Sequence, residues 1–220
     1  MSDGADPFDG LRAGNALRTT RSTFHASFPP MKPFSKFLSG LALLLAAGTA
    51  VSAKEETLGL YQDRRVTINV PEKFNYSTGR DARGIITVKI TDPNLKTNLL
   101  VSFFPDPDGR LAKEDDQRAF VAETTQTYAE GSVEKGYDFK DLAPHTGSGM
   151  YCVFTDATLV RKAPLPPGEY LKVTSGVKAW AGGFFLFTLL SNDTTSEEYQ
   201  AGMKLLRESF EEKRPAGPPI

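Results

Sequence analysis

Cys152 is the only cysteine of the 220-residue chain, and His145 is one of two histidines, the other being His25. A thiol and an imidazole seven residues apart can serve as nucleophile and base if a turn folds one back toward the other. His145 stands beside Thr146-Gly147-Ser148-Gly149, and Cys152 lies between Tyr151 and Val153 in a β-rich run. Cysteine catalysis also needs a group to orient the imidazole and donors for an oxyanion, and the sequence marks neither. The expectation is a buried cysteine and an exposed loop histidine. A hydrolase or transferase using Cys152 and His145 is the enzymatic alternative. Gly147-Ser148-Gly149 is not the G-x-S-x-G elbow of a serine hydrolase, and it leads from a strand into a strand rather than a helix.

Asp106, Asp108, Glu114, Asp115 and Asp116 gather around one turn. Hard cations favour carboxylate oxygens, so Asp106 and Asp108 are the candidate ligands of a Ca²⁺ site. The spacing does not match an EF-hand loop, because Gly109 follows Asp108 directly and Pro107 stiffens the turn. Turn formation and the start of a helix account for these residues, and no metal is expected. One histidine and one cysteine cannot supply a four-ligand zinc site. Gly147, Gly149, Gly182 and Gly183 match no phosphate-binding loop, so no cofactor is expected. Trp180 and Phe184 flank a glycine turn and are the candidate partner contacts, since aromatic residues dominate interface hot spots. The competing expectation for both is core packing.

The elements that must position these residues follow from pattern. Leu58–Tyr61 and Val66–Val70 read as strands, Glu72–Arg83 as a loop, and Ile85–Ile90 and Leu99–Phe104 as further strands closed by proline and glycine turns. Lys113–Glu130 reads as one helix, with Phe120, Thr124 and Tyr128 at four-residue spacing and Gly131 as its stop. Strands are expected at Asp138–Ala143, Met150–Val160 and Glu169–Trp180. A hairpin at Ala181-Gly182-Gly183 then leads into the apolar run Phe184–Leu190, expected to be central and covered on both faces. Thr194 and Thr195 each precede a glutamate by three residues, a capping-box spacing. They open a final helix with Tyr199, Met203, Leu206 and Phe210 on one stripe.

Met31–Ala53 (MKPFSKFLSGLALLLAAGTAVSA) has the three parts of a secretory leader: Lys32 and Lys36, an apolar stretch, and the small residues Val51-Ser52-Ala53. The apolar stretch is shorter than the roughly 20 residues a spanning helix needs. Lys54 stands where lipid attachment would require cysteine. Cleavage is expected between Ala53 and Lys54, leaving a soluble mature chain in the periplasm or outside the cell, without a stable membrane anchor. Residues 1–30 have no sustained period and are expected to precede the true start at Met31, or to be disordered and removed with the leader.

Residues 54–213 are expected to form a single domain, and 214–220 (RPAGPPI) a disordered tail. From Lys54 onward there are 21 Lys and Arg against 24 Asp and Glu, a net charge of −3, with no like-charge block. That mixed surface argues against nucleic acid, which needs a clustered basic face. With one cysteine there is no internal disulfide, so packing must supply stability.

VTINVPEKF (66–74), FFLFTLLSND (184–193) and the following TTSEEYQAGMKLLRESF (194–210), in an order of strands, helix, meander and C-terminal amphipathic helix, resemble the PsbP-like family of exported proteins. The resemblance implies an α+β fold, an antiparallel β-sheet flanked by helices as an α/β/α sandwich over nearly all of 58–210. It also implies non-catalytic binding or assembly work with an envelope protein partner, and it supplies no catalytic motif. A small-ligand or cation-binding periplasmic protein is the alternative non-enzymatic expectation.

Overall fold

The computed structural model describes residues 53–60, 64–82, 84–166, 168–208 and 211–213, all in the second of the chain's two units, Gly48–Ile220. The extension, nearly all of the leader, Phe210 and the tail 214–220 lie outside the described residues.

Among the described residues, ten strands and three helices follow in the order β1 (Ala53–Gly59), β2 (Arg65–Pro71), β3 (Asn75–Arg80), β4 (Ile86–Thr91), β5 (Thr97–Asp106), α1 (Glu114–Thr124), α2 (Gln126–Gly131), β6 (Lys140–Asp141), β7 (Ser148–Thr155), β8 (Lys172–Trp180), β9 (Gly182–Ser191), α3 (Glu197–Glu208) and β10 (Glu211–Lys213). The fold is mixed α+β. A seven-stranded sheet runs in the order β3-β4-β5-β9-β8-β7-β6, and a three-stranded sheet in the order β1-β2-β10. Every pairing among the described strands is antiparallel.

Alternation along the central strands divides the core in two. Val101 and Phe103 of β5 and Phe185, Phe187 and Leu189 of β9 join Val66, Ile68 and Val70 of β2 and Tyr199, Met203 and Leu206 of α3. On the other side, Phe184, Val177, Met150, Cys152 and Phe154 meet Val121 of α1 and Ala129 of α2. Each large side chain so buried contributes on the order of 2 kcal/mol of apolar transfer energy.

The apolar run 184–190 is central, between β5 and β8. Its cover differs by face: Phe185, Phe187 and Leu189 are buried, whereas Leu186, Thr188 and Leu190 are half-buried.

Several boundaries differ from the sequence expectation. The expected loop 72–83 contains β3, whose residues NYSTGR carry no apolar alternation and are held by an unbroken ladder to β4. The single helix over 113–130 is interrupted at Thr125. There the Thr125 hydroxyl donates to the Val121 carbonyl at 2.6 Å and the Thr124 hydroxyl to the Phe120 carbonyl at 2.8 Å, the local side-chain competition that bends helices. The strand expected at 138–143 shrinks to Lys140–Asp141. The run 150–160 leaves the sheet after Thr155, where Asp156 accepts the Thr158 amide in an Asx turn. The N-cap of α3 is Ser196 rather than a threonine: its Oγ accepts the Tyr199 amide at 3.2 Å, while Thr195 bonds to Asp193. The last helix is described over Glu197–Glu208, and 211–213 pair with β2.

Two close approaches depend on glycine, one between layers and one within the sheet. Gly202 lets α3 approach β9, since a Cβ there would stand 3.1 Å from both Leu189 methyls. Gly176 of β8 lies against β7, where a Cβ would meet the Met150 carbonyl at 2.2 Å.

Candidate functional site

The Cys152 side chain is buried among Met150, Phe154, Val177 and Phe184 on the side that α1 covers. Burial pushes its thiol up from 9.0 to about 11. Asp138 adds to the rise, and Arg118 and Lys140 offset part of it. A thiol so disfavoured as thiolate is a poor nucleophile. His145 belongs to the other side of the sheet. Its amide donates to the Arg207 carbonyl at the end of α3, and its Nε2 lies 3.7 Å from the Glu208 carboxylate. The imidazole is exposed and the thiol is not, and the two serve different layers.

Asp106 is buried and occupied. One carboxylate oxygen accepts the Leu111 amide at 3.1 Å and the other the Arg110 Nε at 3.3 Å, while the Asp106 carbonyl accepts the Gly109 amide. Asp108 is exposed beside it. Glu114, Asp115 and Asp116 form the first turn of α1, where carboxylates complement the helix dipole, and Glu114 also pairs with Arg118 at 2.8 Å. Among the described residues no three of His, Cys, Asp and Glu are grouped to hold a metal ion.

Trp180 and Phe184 do not share a tip. Trp180 is half-buried against Phe103 and Phe185, with ring centroids 6.4 and 5.8 Å away, and its Nε1 is buried without a hydrogen-bond partner. Phe184 is 4 % exposed on the opposite face, stacked on Phe104 at 5.1 Å and edge-on to Phe120 at 5.3 Å. Ala53 opens β1 opposite Pro71, and the exposed Lys54 pairs with Val70 and bridges to Glu56.

Three features were not read from the sequence. The first is a buried lysine: Lys178 is 1 % exposed, and its Nζ points at the last carbonyls of α3. The second is a charged clamp at the far end of β7. Glu134 accepts the Thr155 amide at 2.8 Å and the Thr155 hydroxyl at 2.5 Å, and Lys172 donates to that hydroxyl at 2.6 Å.

The third is a sheet face that α1 leaves half-covered. The helix lies over β7 and β8. Across β4, β5 and β9 the same face carries Lys89, Leu100, Ser102, Leu186, Thr188 and Leu190, exposed or half-buried. Its hydroxyls bond to one another: Thr87 to Ser102 at 2.9 Å, and Ser175 to Thr188 at 3.3 Å. The period-two spacing of Thr87 and Lys89, and of Leu100 and Ser102, is visible in the sequence, but only the register shows that they form one surface. Such a set offers apolar contact and hydrogen bonding.

Among the described residues, no helix is long and apolar enough to cross a membrane. Searches of family models, curated proteins and solved structures return no match to this chain.

Proposed function

We propose that this chain is an exported, non-catalytic binding or assembly factor of the cell envelope, periplasmic or secreted once its leader is removed, built as a PsbP-like α/β/α sandwich. The observation that carries the binding reading is the half-covered face around Leu100, Ser102 and Thr188, whose apolar groups and mutually bonded hydroxyls offer contact and hydrogen bonding. Export is supported by the leader pattern of 31–53 and by its junction with the fold. The expected cleavage point falls at the first residue of β1, so among the described residues removal of the leader takes away the Ala53–Pro71 pairing and leaves Lys54–Gly59 paired with β2. The raised pKa of Cys152, and the attachment of His145 to α3, weigh against the Cys/His hydrolase or transferase. Cation binding at Asp106 and Asp108 is weakened by the amide and guanidinium that Asp106 already holds.

The test is in-vivo photocrosslinking from Leu100 and Thr188 of a C-terminally tagged chain, with mass spectrometry of the adducts and of the mature N-terminus. The expected result is one discrete envelope protein captured from both positions and a chain beginning at Lys54. A chain retained in the cytoplasm with an intact leader overturns export. An exported chain that captures no protein from either position overturns the binding face.

A further inference from the structure

Among the described residues the two sheets end in four edges, and three of them carry the features that keep strands from pairing with other chains. β1 has Lys54, Glu55 and Glu56 in its first half. β10 is three residues long and reads EEK, and β6 is two residues long. The fourth edge, β3, has none of these features. It runs six residues, contains no proline, and pairs with β4 without a bulge from Asn75–Thr91 to Arg80–Ile86. Five of its six residues are exposed, Tyr76 alone being half-buried. Its one charge, Arg80, stands at the end and donates to the Gly84 and Gly59 carbonyls at 3.0 and 3.1 Å. Asn75, Ser77, Thr78 and Gly79 place nothing bulky or charged beside the open backbone groups.

We propose that β3 is a homodimerisation edge, joining two copies of this chain into one continuous antiparallel sheet. Self-pairing is argued from the residues themselves. A twofold axis perpendicular to the sheet keeps like faces together, so even-numbered residues meet even-numbered ones. With the axis at Ser77, Tyr76 meets Thr78 and Asn75 meets Gly79. With the axis at Thr78, Tyr76 meets Arg80 and Ser77 meets Gly79. In neither register does a charge face its like, the condition a strand bearing interior Lys or Glu fails. A six-residue edge buries less than a standard interface, so the dimer is weak and concentration-dependent. The proposal is independent of the binding face above, which lies on β4, β5 and β9.

Sedimentation equilibrium of the mature chain from about 5 to 500 μM tests it. The expected result is a mass rising from one toward two chains across that range. The double variant Ser77→Lys/Thr78→Lys places like charges on the axis in either register and is expected to remain monomeric. The control Thr57→Lys on β1 is expected to dimerise like the parent. Circular-dichroism melts check that all three proteins are folded, and a double variant that does not fold is replaced by Ser77→Glu alone, which is expected to weaken self-association at least tenfold. A parent that stays monomeric at 500 μM overturns the proposal, as does a dimer undisturbed by the folded β3 variant.

Discussion

The Lys178 Nζ lies 3.4 Å from the Arg207 carbonyl oxygen, and 3.5 Å from that of Leu206, at the C-terminal end of α3. The stem of the same lysine runs beside Phe185, whose ring centroid is 5.9 Å from the ammonium. A helix leaves its last carbonyls without intrahelical donors, and its dipole favours a cation at that end. Lys178 meets that demand from the sheet side, inside the layer that α3 covers, so one side chain both fills core space and holds the helix end.

Lys178→Met keeps most of the stem and removes the donor. The carbonyls of Leu206 and Arg207 then lose a charge-assisted partner in a buried place, a change of about 1–3 kcal/mol. Urea titration is expected to show that loss with an unchanged slope. Limited proteolysis is expected to cut sooner near Arg207, because α3 also anchors the His145 loop through the bond from the His145 amide to the Arg207 carbonyl. A variant as stable as the parent, with the same cleavage pattern, removes Lys178 from this role.

Cys152 gives a second prediction. The thiol is buried and pushed up to about 11. Native protein at pH 8 is expected to react with a thiol reagent at least a hundredfold more slowly than urea-unfolded protein, given roughly two pKa units of lost thiolate before steric protection is counted. The sign for stability follows from the raised folded value. The group's contribution is complete below its ordinary value of 9.0 and is lost as pH rises toward about 11. Cys152→Ala is expected to flatten that alkaline limb. Fast labelling of native protein overturns the buried assignment.

How much of this was legible beforehand depended on whether a residue's role was local. FFLFTLL in β9 announces a central strand because nothing else accommodates so apolar a run, and Tyr199, Met203 and Leu206 announce the inner stripe of α3 by spacing alone. NYSTGR does not announce β3, because Tyr76 is its one residue that packs against the core and only the ladder to β4 makes it a strand. The break at Thr125 turns on two hydroxyls choosing carbonyls of the preceding turn, a choice that helical periodicity does not register. Lys178 was unreadable for a different reason. Lysine is ordinarily exposed, and its burial follows from α3 ending over β8, a long-range fact. The candidate surface was half legible: the alternation in β4 and β5 is in the sequence, whereas the pairing of Ser102 with Leu186 and of Leu100 with Thr188 is not.

The last prediction concerns pH and two surface carboxylates. Lys96 and Glu198 meet at 2.9 Å, tying the β4–β5 hairpin to the first turn of α3. The hydrogen bond to Lys96 holds the Glu198 carboxyl below its ordinary 4.5, and the same bond holds the Lys96 ammonium above its ordinary 10.5. At Glu134 burial pushes the carboxyl up, but the hydroxyl and amide of Thr155, with the nearby Lys172 ammonium, outweigh it and leave the net value below 4.5. A carboxyl lowered by folding stabilises fully above its unfolded value and loses that contribution as pH falls through the folded one. Stability is therefore expected to fall below about pH 4.5, with Glu198 and Glu134 among the groups responsible. Lys96 works in the opposite direction, its contribution present below 10.5 and lost as pH rises beyond it. All three sites are solvent-accessible, so the steps are small and salt-sensitive. Thermal melts of the parent, Glu198→Gln and Glu134→Gln across pH 3–7 check the assignment. Each variant is expected to be less stable than the parent at pH 7, with the difference closing toward pH 3. A difference that persists unchanged at pH 3 shows that packing, and not the carboxylate charge, was lost.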